Sequence, residues 1–263
     1  MQLFSSWTGS EFLMVYIALL GLCSLAAWWL PAHLRAGGRR GESPDAESLA
    51  LLAGGRERFA DTLLADLFVR GGLAAGEGGK LAVADPRVPT SPAGHAVLAA
   101  DGPLSLSAAR ALLDPHAERL AARLRRGGLL LRTDDVSRLR WLSVAPFAVL
   151  LTIGFYRERA GSTLGEPTGF LIALMVLTAA LAVFRYFRID PRTKAGIAEV
   201  ARHQSASAPL PQAPQAGEVA MAVALFGTGV LVGTPWEPVH ALRQQSGSSE
   251  SGDSDDGGDG CGD

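Results

Sequence analysis

The sequence predicts a mainly α-helical, multi-pass membrane protein that carries a small α+β domain. Two observations predict this fold class. Apolar residues are concentrated in four runs, and the segments between them alternate helical patterns with Gly- and Pro-rich turns. Of the 263 residues, 48% are hydrophobic, and the mean hydropathy is +0.20. Because a bilayer requires long, uninterrupted apolar helices, this uneven distribution favours a membrane protein over a large soluble domain.

The first apolar run, residues 11–30, predicts a transmembrane helix. From Phe12 to Leu30 it carries no charge, over about the twenty residues that a helix needs to cross ~30 Å of hydrocarbon. A cleaved signal peptide would require a basic N-terminal region, and residues 1–10 contain neither Lys nor Arg. Residues 1–10 are therefore predicted to form an extracytoplasmic N-terminus.

The second and third runs, residues 141–156 and 168–187, predict a helical hairpin in the membrane. The second run is short for a full crossing and contains Pro146, whereas the third is free of charge until Arg185, near its end. Since the connection 157–167 is short and Gly-rich, the two helices are expected to be antiparallel neighbours.

Basic residues that flank these runs predict the orientation, because Arg and Lys near helix ends are retained in the cytoplasm. Those at the inner ends are Arg35, Arg39, Arg40, Arg132, Arg138, Arg140, Arg185, Arg188, Arg192 and Lys194. Arg157 and Arg159 follow the second run and would lie on the other side of the membrane. The preference for Arg and the absence of Asn are typical of a GC-rich bacterial genome. The sequence thus predicts a bacterial inner-membrane protein with its N-terminus outside and residues 41–140 in the cytoplasm.

The fourth run, residues 218–234, allows two interpretations. Its apolar part is about fifteen residues long and rich in Ala and Gly, so it is marginal as a span. A fourth span and a buried or re-entrant helix both fit this pattern. Gly229 and Gly233 have the GxxxG spacing that lets two membrane helices approach closely, which would suit self-association.

Residues 41–140 are predicted to form a small domain of helices and hairpins. Ser43-Pro44-Asp45 is typical of a helix start, and Gly54-Gly55 is expected to end that helix before a second one runs to Arg70. The apolar stretches on either side of Gly78-Gly79 then predict a two-stranded hairpin.

An Arg-Gly-Gly-Leu sequence at 70–73 recurs at 126–129 and suggests a duplication. Aligning the two copies also pairs core positions, namely Leu64 with Leu120, Ala65 with Ala121 and Phe68 with Leu124. In the second copy Ser91-Pro92 and Asp114-Pro115 predict helix starts, and residues 129–139 predict a second hairpin. The result is a tandem winged-helix-like unit with repeats at 44–85 and 91–140. An ordinary helix C-cap used twice is the alternative.

Two further segments are predicted to lack regular structure. Residues 204–216 are rich in Pro, Ala and Gln and are predicted to be a linker. Residues 246–263 are rich in Gly, Ser and Asp and are predicted to be a disordered acidic tail.

No combination of residues predicts a catalytic, cofactor-binding or metal site. The histidines have no repeated spacing and no carboxylate in register: His33, His95, His116, His203 and His240. Gly78-Gly79-Lys80 is followed by Leu81, where a phosphate loop needs Ser or Thr. Two cysteines, Cys23 and Cys261, cannot form a disulfide framework.

The leading functional hypothesis is therefore a non-enzymatic interaction or assembly module at the cytoplasmic face. Its partners would be the lipid bilayer and either a second protein or another copy of the chain. The alternative is a membrane-tethered, winged-helix-like regulator that binds DNA through basic residues of one helix, Arg119, Arg123, Arg125 and Arg126. Acidic residues in the equivalent first helix make nucleic acid the less favoured partner.

Four short motifs carry a resemblance to a known family: Leu51-Leu-Ala-Gly-Gly-Arg56, the Arg-Gly-Gly-Leu turn at 70–73, Ala224-Leu-Phe-Gly227, and the ending Gly-Gly-Asp-Gly-Cys-Gly-Asp263. The chain resembles an uncharacterised bacterial membrane-protein family that joins a conserved region to a Gly-rich, often Cys-rich, low-complexity tail. It departs from that family in having one tail cysteine instead of repeated Gly-Cys runs. The resemblance implies a membrane location and brings no activity or site residues.

Overall fold

The structure, a computed structural model, describes residues 9–39, 44–76, 79–163, 169–208, 210 and 214–250. Within them it is mainly helical, with nine α-helices and one two-stranded antiparallel sheet. The elements in chain order are α1 (Gly9–Leu34), α2 (Ala46–Val69), β1 (Leu73–Ala75), β2 (Leu81–Val83), α3 (Pro92–Leu98), α4 (Leu106–Arg126), α5 (Thr133–Thr163), α6 (Gly169–Phe187), α7 (Lys194–Ala206), α8 (Val219–Phe226) and α9 (Glu237–Glu250).

The chain divides into two compact units, each made of two stretches of sequence. Unit 1 comprises Met1–Gly37 and Leu131–Lys194 and contains α1, α5 and α6. Unit 2 comprises Gly38–Leu130 and Ala195–Asp263 and contains the other helices and the sheet. The predicted domain boundary at 140 is therefore wrong, whereas residue 41 lies outside the described residues. The unit between the first two long helices ends at residue 130 and is completed by the C-terminal part of the chain.

Unit 1 is a bundle of three apolar helices, each long enough to cross a membrane. The apolar segments are Glu11–Leu34, Thr133–Arg159 and Gly169–Phe187. At 1.5 Å per residue, the shortest of them is about 28 Å long, close to the ~30 Å thickness of hydrocarbon. The structure agrees with the prediction of apolar helices at 11–30 and 168–187. The second helix is longer than the predicted 141–156.

The interior of this bundle is small and partly polar. Tyr16 is 1% exposed, and its hydroxyl lies 3.2 Å from Thr178 Oγ1, which itself donates to the carbonyl of Leu174. The Tyr16 hydroxyl therefore donates to Thr178. Beside it, α5 approaches closely at Gly154, where an added Cβ would lie 3.0 Å from Tyr16 Cε2 and 3.1 Å from Met175 Cγ. A Gly at this position thus permits the close packing of the three helices.

The second hairpin, predicted at 129–139, is not formed, because most of this segment begins α5. Asp134 and Asp135 lie in the first turn of that helix, where carboxylates are stabilised by the positive end of the helix dipole. Leu131 instead donates its backbone N–H to the carbonyl of Pro191, at 2.8 Å. The helix-start signal in Thr133-Asp134-Asp135 outweighs the alternating pattern that suggested a strand.

The first half of the predicted domain agrees with the structure. Helix α2 is interrupted by non-helical backbone at Gly54 and Gly55, and the positive φ of 72° at Gly55 is a conformation that favours glycine. After α2, strands β1 and β2 pair in antiparallel register, with Leu73 opposite Val83. The predicted helix break and first hairpin are thus confirmed. Of the predicted turn at Gly78-Gly79, residue 78 lies outside the described residues.

The two Arg-Gly-Gly-Leu sequences are helix C-caps rather than copies of one folded unit. In both, the helix ends in a Schellman motif, with backbone bonds from Gly72 to Leu67 and from Leu129 to Leu124. The residue with positive φ is Gly71 after α2 and Gly128 after α4, so the helices end one residue apart in the alignment. A hairpin follows α2, whereas α5 follows α4. The predicted repeat of helix and hairpin is therefore wrong.

One predicted helix start in the second copy is confirmed and the other is wrong. Ser91 caps α3, with its Oγ accepting from the backbone N–H of Gly94 at 3.3 Å. By contrast, Pro115 lies inside α4, which begins nine residues earlier and is capped by Ser105. The Ser105 Oγ accepts from the backbone N–H of Ala108 at 3.1 Å, so a serine cap nine residues before Asp114 supersedes the Asp-Pro signal.

The fourth apolar run forms a buried helix within unit 2. Helix α8 has eight residues and packs mainly against α2, and Val219, Val223 and Ala224 are 0% exposed. Of the two interpretations of residues 218–234, the buried helix is the one observed. Gly229 lies in a short 3₁₀ helix and Gly233 has a φ of 75°, so the two do not share a helix face.

Helices also occupy parts of the predicted linker and tail. Helix α7 runs to Ala206, inside the predicted linker 204–216, of which residues 209 and 211–213 lie outside the described residues. Helix α9 continues to Glu250, beyond the predicted start of the tail at 246. Residues 1–8 and 251–263 lie outside the described part of the chain.

Gly196 offers a test of the discontinuous unit 2. A Cβ added at this residue of α7 would lie 2.3 Å from the backbone oxygen of Leu129, which cannot move without shifting the end of α4. Gly196→Ala is expected to destabilise unit 2 by about 1–3 kcal/mol, as measured by hydrogen exchange of α4 and α7 amides in detergent. Gly217→Ala is the control, since no atom lies within 4 Å of its added Cβ. Equal stability of the two variants would contradict the packing of α7 on this turn.

Candidate functional site

An acid-lined cavity of about 400 Å³ opens beside the first turn of α2 in unit 2. The polar groups that define it are Asp45, Glu47, Thr62, Asp66, Arg70 and Ser91. Three carboxylates and one guanidinium give this lining a formal charge of −2. Apolar atoms of neighbouring residues complete the walls. The cavity therefore combines excess negative charge with an apolar surface.

Two helix starts contribute to the lining of this cavity. Asp45 caps α2, because its Oδ1 accepts from the backbone N–H of Ser48 at 3.2 Å, and Glu47 follows in the first turn. Ser91, which caps α3, also lines the cavity and forms a side-chain hydrogen bond with Glu47. Capping and the helix dipole thus account for Asp45 and Ser91, and for an acidic residue near position 47.

Three further residues of the cavity, Thr62, Asp66 and Arg70, come from the part of α2 that follows the break at Gly54 and Gly55. Asp66 is held by Arg70, whose Nε donates to Asp66 Oδ1 at 2.9 Å. Arg70 also donates from Nη1 to the carbonyl of Pro89 at 3.3 Å. Thr62 is 1% exposed, and its hydroxyl has no hydrogen-bond partner among the described residues. A buried hydroxyl without a partner costs free energy, so Thr62 is not explained by stability.

Glu47 has a raised pKa, and this predicts that the free energy of unfolding depends on pH. Burial is the main cause, a hydrogen bond from Ser91 opposes it, and the charges of Asp45 and Asp66 add to it. Because folding raises this pKa, Glu47 should destabilise the folded state increasingly as the pH rises through its titration. The stability of the wild type relative to Glu47→Gln is therefore expected to fall between pH 4 and pH 8 in urea unfolding experiments.

Glu118→Gln is a control, because the stability difference from the wild type is expected to change with pH in the opposite direction. Hydrogen bonding to Arg125 and the nearby guanidinium of Arg56 lower the pKa of Glu118 despite some burial. The wild type should therefore gain stability relative to Glu118→Gln as the pH rises. A pH-independent difference for Glu47→Gln, or one with the same sign as that of Glu118→Gln, would contradict the environment described for Glu47.

A second charged group in unit 2 surrounds Asp61, which is 2% exposed in α2. Arg110 of α4 donates from Nη2 to Asp61 Oδ1 at 3.4 Å, and Arg243 of α9 pairs with Oδ2. Arg243 also lies 3.4 Å from Glu57. Burial raises the pKa of Asp61 and the two arginines oppose that shift. The arrangement joins three helices through one carboxylate, and it has the properties of a structural ion pair network.

In unit 1, one end of the bundle is closed by bonds among the segments that lead to and from unit 2. We call this group the junction; it comprises Arg35, Ala36, Leu131, Asp190, Pro191, Arg192 and Lys194. Asp190 lies 3.4 Å from the Arg35 guanidinium and 2.9 Å from that of Arg192. Lys194 donates its backbone N–H to the carbonyl of Ala36 at 3.1 Å. The three helix ends that connect to unit 2 therefore lie together.

The basic residues proposed for DNA contact lie near the C-terminal end of α4. Among them Arg125 is paired with Glu118, from Nη1 to Oε1 at 2.8 Å, and Glu118 also accepts from Arg56. Arg123, Arg125 and Arg126 are in the last turn, where they complement the negative end of the helix dipole. One carboxylate thus already neutralises part of this basic patch.

Three of the histidines have partners that the sequence alone does not indicate, and the first is His33, whose Nδ1 lies 3.1 Å from the carbonyl oxygen of Trp29. His203 lies 3.2 Å from Glu199, one turn earlier on α7, and Glu199 also pairs with Arg202. His240 Nδ1 lies 3.1 Å from Thr228 Oγ1. Within the described residues, no group of three His, Cys, Asp or Glu side chains has a geometry that could hold a metal ion.

Sequence reasoning found the helix starts around the cavity and missed the cavity itself. Ser91 was identified as a cap, and Asp45 as an acidic residue at a helix start where it is in fact the cap. Residues 45–47 lie before the break at Gly54 and Gly55, and Thr62 and Asp66 lie after it, so their convergence depends on the direction that the chain takes through this break. The buried position of Asp61 was also missed, because its partners Arg110 and Arg243 are far away in sequence. Comparisons with protein-family models, curated proteins and solved structures find no match to this chain.

Proposed function

We propose that this chain is a three-span protein of the bacterial inner membrane that presents unit 2 at the cytoplasmic face as a non-enzymatic interaction or assembly module. The observation that carries the proposal is the apolar outer surface of unit 1. Only 17% of the residues in the apolar windows of α1 and α6 are buried, and 28% in that of α5. An exposed apolar surface of this extent is favourable in contact with hydrocarbon and unfavourable in contact with water.

The ends of the bundle support a membrane location independently. Trp28, Trp141 and Phe187 are 69%, 67% and 75% exposed near the end that carries the junction. Phe155 and Phe170, near the other end, are 51% and 77% exposed. Aromatic side chains are enriched at both membrane interfaces, so two exposed aromatic groups separated by an apolar surface are expected of a spanning bundle.

The basic residues at the junction favour the proposed orientation. Arg35, Arg192 and Lys194 belong to the junction, whereas Arg157 and Arg159 lie towards the other end of α5. Positively charged flanks are retained in the cytoplasm, which places the junction end inside. Because the chain passes between the units only next to the junction, both stretches of unit 2 would then be cytoplasmic.

The packing within unit 2 favours three spans over four. An odd number of crossings after the outer N-terminus puts residues 38–130 and 195–250 on one side. A fourth span would require α8 to leave its partner α2, with which it shares an almost completely buried surface. Three spans are therefore consistent with an intact unit 2, and four are not.

Membrane integration is tested by fractionation of cells that express the chain. The chain is expected to sediment with membranes, to remain there at the alkaline pH that removes peripheral proteins, and to dissolve in detergent. Release by alkaline extraction without detergent would contradict the three-span proposal.

The DNA-binding alternative has weaker support, because the second hairpin is absent and Glu118 neutralises part of the basic patch on α4. The full chain in detergent is expected to give flat titrations with duplex DNA at low salt. Binding that weakens steeply with salt, and that is reduced by Arg119→Gln and Arg123→Gln, would favour the DNA-binding alternative.

A further inference from the structure

We propose that Arg185, with the charge of Arg35 beside it, binds the headgroup phosphate of an anionic phospholipid at the junction end of unit 1. The proposal rests on the proposed membrane location, but it does not depend on the side of the membrane on which unit 2 lies. All the residues that carry it belong to unit 1. The acyl chains of the lipid would lie along the apolar outer surface of α1 and α6.

The first argument is that a gap in the backbone bonding of α1 fixes the guanidinium of Arg185. Pro31 lies inside α1 and has no N–H, so the helix cannot supply the usual donor to the carbonyl of Ala27, one turn earlier. Arg185 of α6 supplies a donor instead, because its Nε donates to the Ala27 oxygen at 2.9 Å. The contact between two helices therefore determines where this cation lies.

The second argument is that the outer nitrogens of this guanidinium are free to bind a ligand. Among the described residues neither Nη1 nor Nη2 of Arg185 has a hydrogen-bond partner, and both nitrogens are accessible at the surface. Such a planar pair of donors matches two oxygens of a phosphate. Trp28, the neighbour of Ala27, is exposed, so the site lies at the level of the interfacial aromatic residues, where lipid headgroups are found.

The third argument is unbalanced positive charge. Arg35 lies close enough to Arg185 for the two charges to repel each other. Asp190 lies 3.4 Å from Arg35, but Arg192 also donates to it, from Nε at 3.0 Å and from Nη2 at 2.9 Å. Burial opposes the ionisation of Asp190, yet its bonds with Arg192 and the charge of Arg35 lower its pKa, so this carboxylate is charged. Three guanidinium groups and one carboxylate leave a formal charge of +2, which an anionic ligand would offset.

These features favour an anionic lipid over other sources of phosphate. A zwitterionic lipid brings an ammonium group, which the excess positive charge would repel. Inorganic phosphate has no apolar part, whereas Val183 and Phe184, which precede Arg185 on α6, are both more than half exposed and offer an apolar surface to acyl chains. A lipid is therefore held through its phosphate and its chains together.

The test compares two lipids that differ only in the headgroup. The full chain, purified in detergent, is titrated separately with dioleoyl-phosphatidylglycerol and with dioleoyl-phosphatidylcholine, and bound lipids are counted by native mass spectrometry. The first phosphatidylglycerol is expected to bind about tenfold more tightly than the first phosphatidylcholine. Phosphatidylglycerol should also raise the melting temperature, and sodium phosphate at the same concentration and ionic strength should not. Equal binding of the two lipids, or an equal rise with phosphate, would overturn the proposal.

Variants assign the preference to the two arginines. Arg185→Gln and Arg35→Gln each remove one cation and are each expected to weaken phosphatidylglycerol binding about fivefold, with little change for phosphatidylcholine. Arg185→Lys keeps the charge without the planar donors and should lose about twofold to threefold. Arg138→Gln is the control, because Arg138 is exposed on α5 and its charge is screened by solvent; the loss should stay within about twofold. Equal losses in Arg185→Gln and Arg138→Gln would overturn the site.

Two further measurements separate this site from folding and from the membrane location. Each variant is melted in detergent without added lipid, because Arg185→Gln removes the donor to the Ala27 carbonyl and could lower stability. If that variant does not fold, Arg35→Gln decides, since Asp190 keeps Arg192 as its partner. Alkaline extraction tests the membrane location by itself. A chain that resists extraction but binds both lipids equally would overturn the lipid site and leave the membrane location intact.

Discussion

Asp61→Ala is expected to destabilise unit 2 by about 2–4 kcal/mol, because it leaves two guanidinium groups without their buried carboxylate. Asp61 is 2% exposed, while the side chains of Arg110 and Arg243 are 26% and 34% exposed. Water can therefore reach the arginines in part, which keeps the expected loss below that for a fully buried pair. Hydrogen exchange of amides in α2, α4 and α9 measures the change.

Asp114→Ala is the matched control for this prediction. Asp114 also pairs with an arginine, Arg56, at 3.8 Å, but both side chains are more than half exposed. Exposed pairs of this kind contribute little, so the expected change is below about 0.5 kcal/mol. If Asp61→Ala is tolerated as well as Asp114→Ala, the buried network does not hold α4 and α9 against α2.

Replacing the whole network separates the cost of a broken ion pair from the value of the intact one. Asp61→Leu combined with Arg110→Met and Arg243→Met is expected to recover most of the stability lost in Asp61→Ala. Recovery would show that the loss in Asp61→Ala comes from uncompensated charge. A triple variant that is less stable than Asp61→Ala would mean that the charges contribute favourably to stability on balance.

Val176→Arg is expected to impair membrane insertion strongly. Val176 lies near the middle of α6 on its outer surface and is 64% exposed. An arginine at the centre of a spanning helix costs about 2.5–3.5 kcal/mol on insertion. The amount of chain recovered as a single folded species from detergent-extracted membranes should fall accordingly.

Leu112→Arg makes the same change on a surface that is expected to contact water. Leu112 is an exposed apolar residue of α4 in unit 2, with an exposure of 40%. An arginine there should change recovery little, within about 0.5 kcal/mol. Equal tolerance of the two substitutions would contradict the proposal that the outer surface of unit 1 faces hydrocarbon.

The sequence predicted the elements whose cause is local. The long apolar runs, the break at Gly54-Gly55, the cap at Ser91 and the hairpin after α2 each depend on residues within a few positions of one another. Periodicity and capping are sufficient for these features, because the interactions that determine them are formed within a single element.

The errors arose where packing between distant segments decides the structure. Helix α8 is short and apolar, so its sequence fits either a membrane or a protein interior, and its contact with α2 determines which of the two it occupies. Residues 129–139 were assigned to a hairpin by analogy with residues 73–83, although Asp134 and Asp135 are typical of a helix start. The contribution of α7, α8 and α9 to unit 2 had no signal in the local pattern.

The candidate cavity shows the same limit. The helix starts at Asp45 and Ser91 were visible in the sequence, while Thr62 appears there as an ordinary helical residue. Thr62 and Asp66 come to line one cavity with Glu47 because α2 changes direction at Gly54 and Gly55, between these residues. A site assembled from both halves of an interrupted helix and from a separate loop has no short, fixed spacing that a motif could capture.

Cysteine accessibility tests most directly whether both stretches of unit 2 lie on the cytoplasmic side of three spans. In a chain with Cys23→Ala and Cys261→Ser, single cysteines replace Ser107 in α4, Ser205 in α7 and Ser162 at the end of α5. A membrane-impermeant maleimide should label Ser162→Cys in intact spheroplasts, and Ser107→Cys and Ser205→Cys only after permeabilisation. Labelling of Ser107→Cys and Ser205→Cys from opposite sides, or of both from outside, would contradict the account.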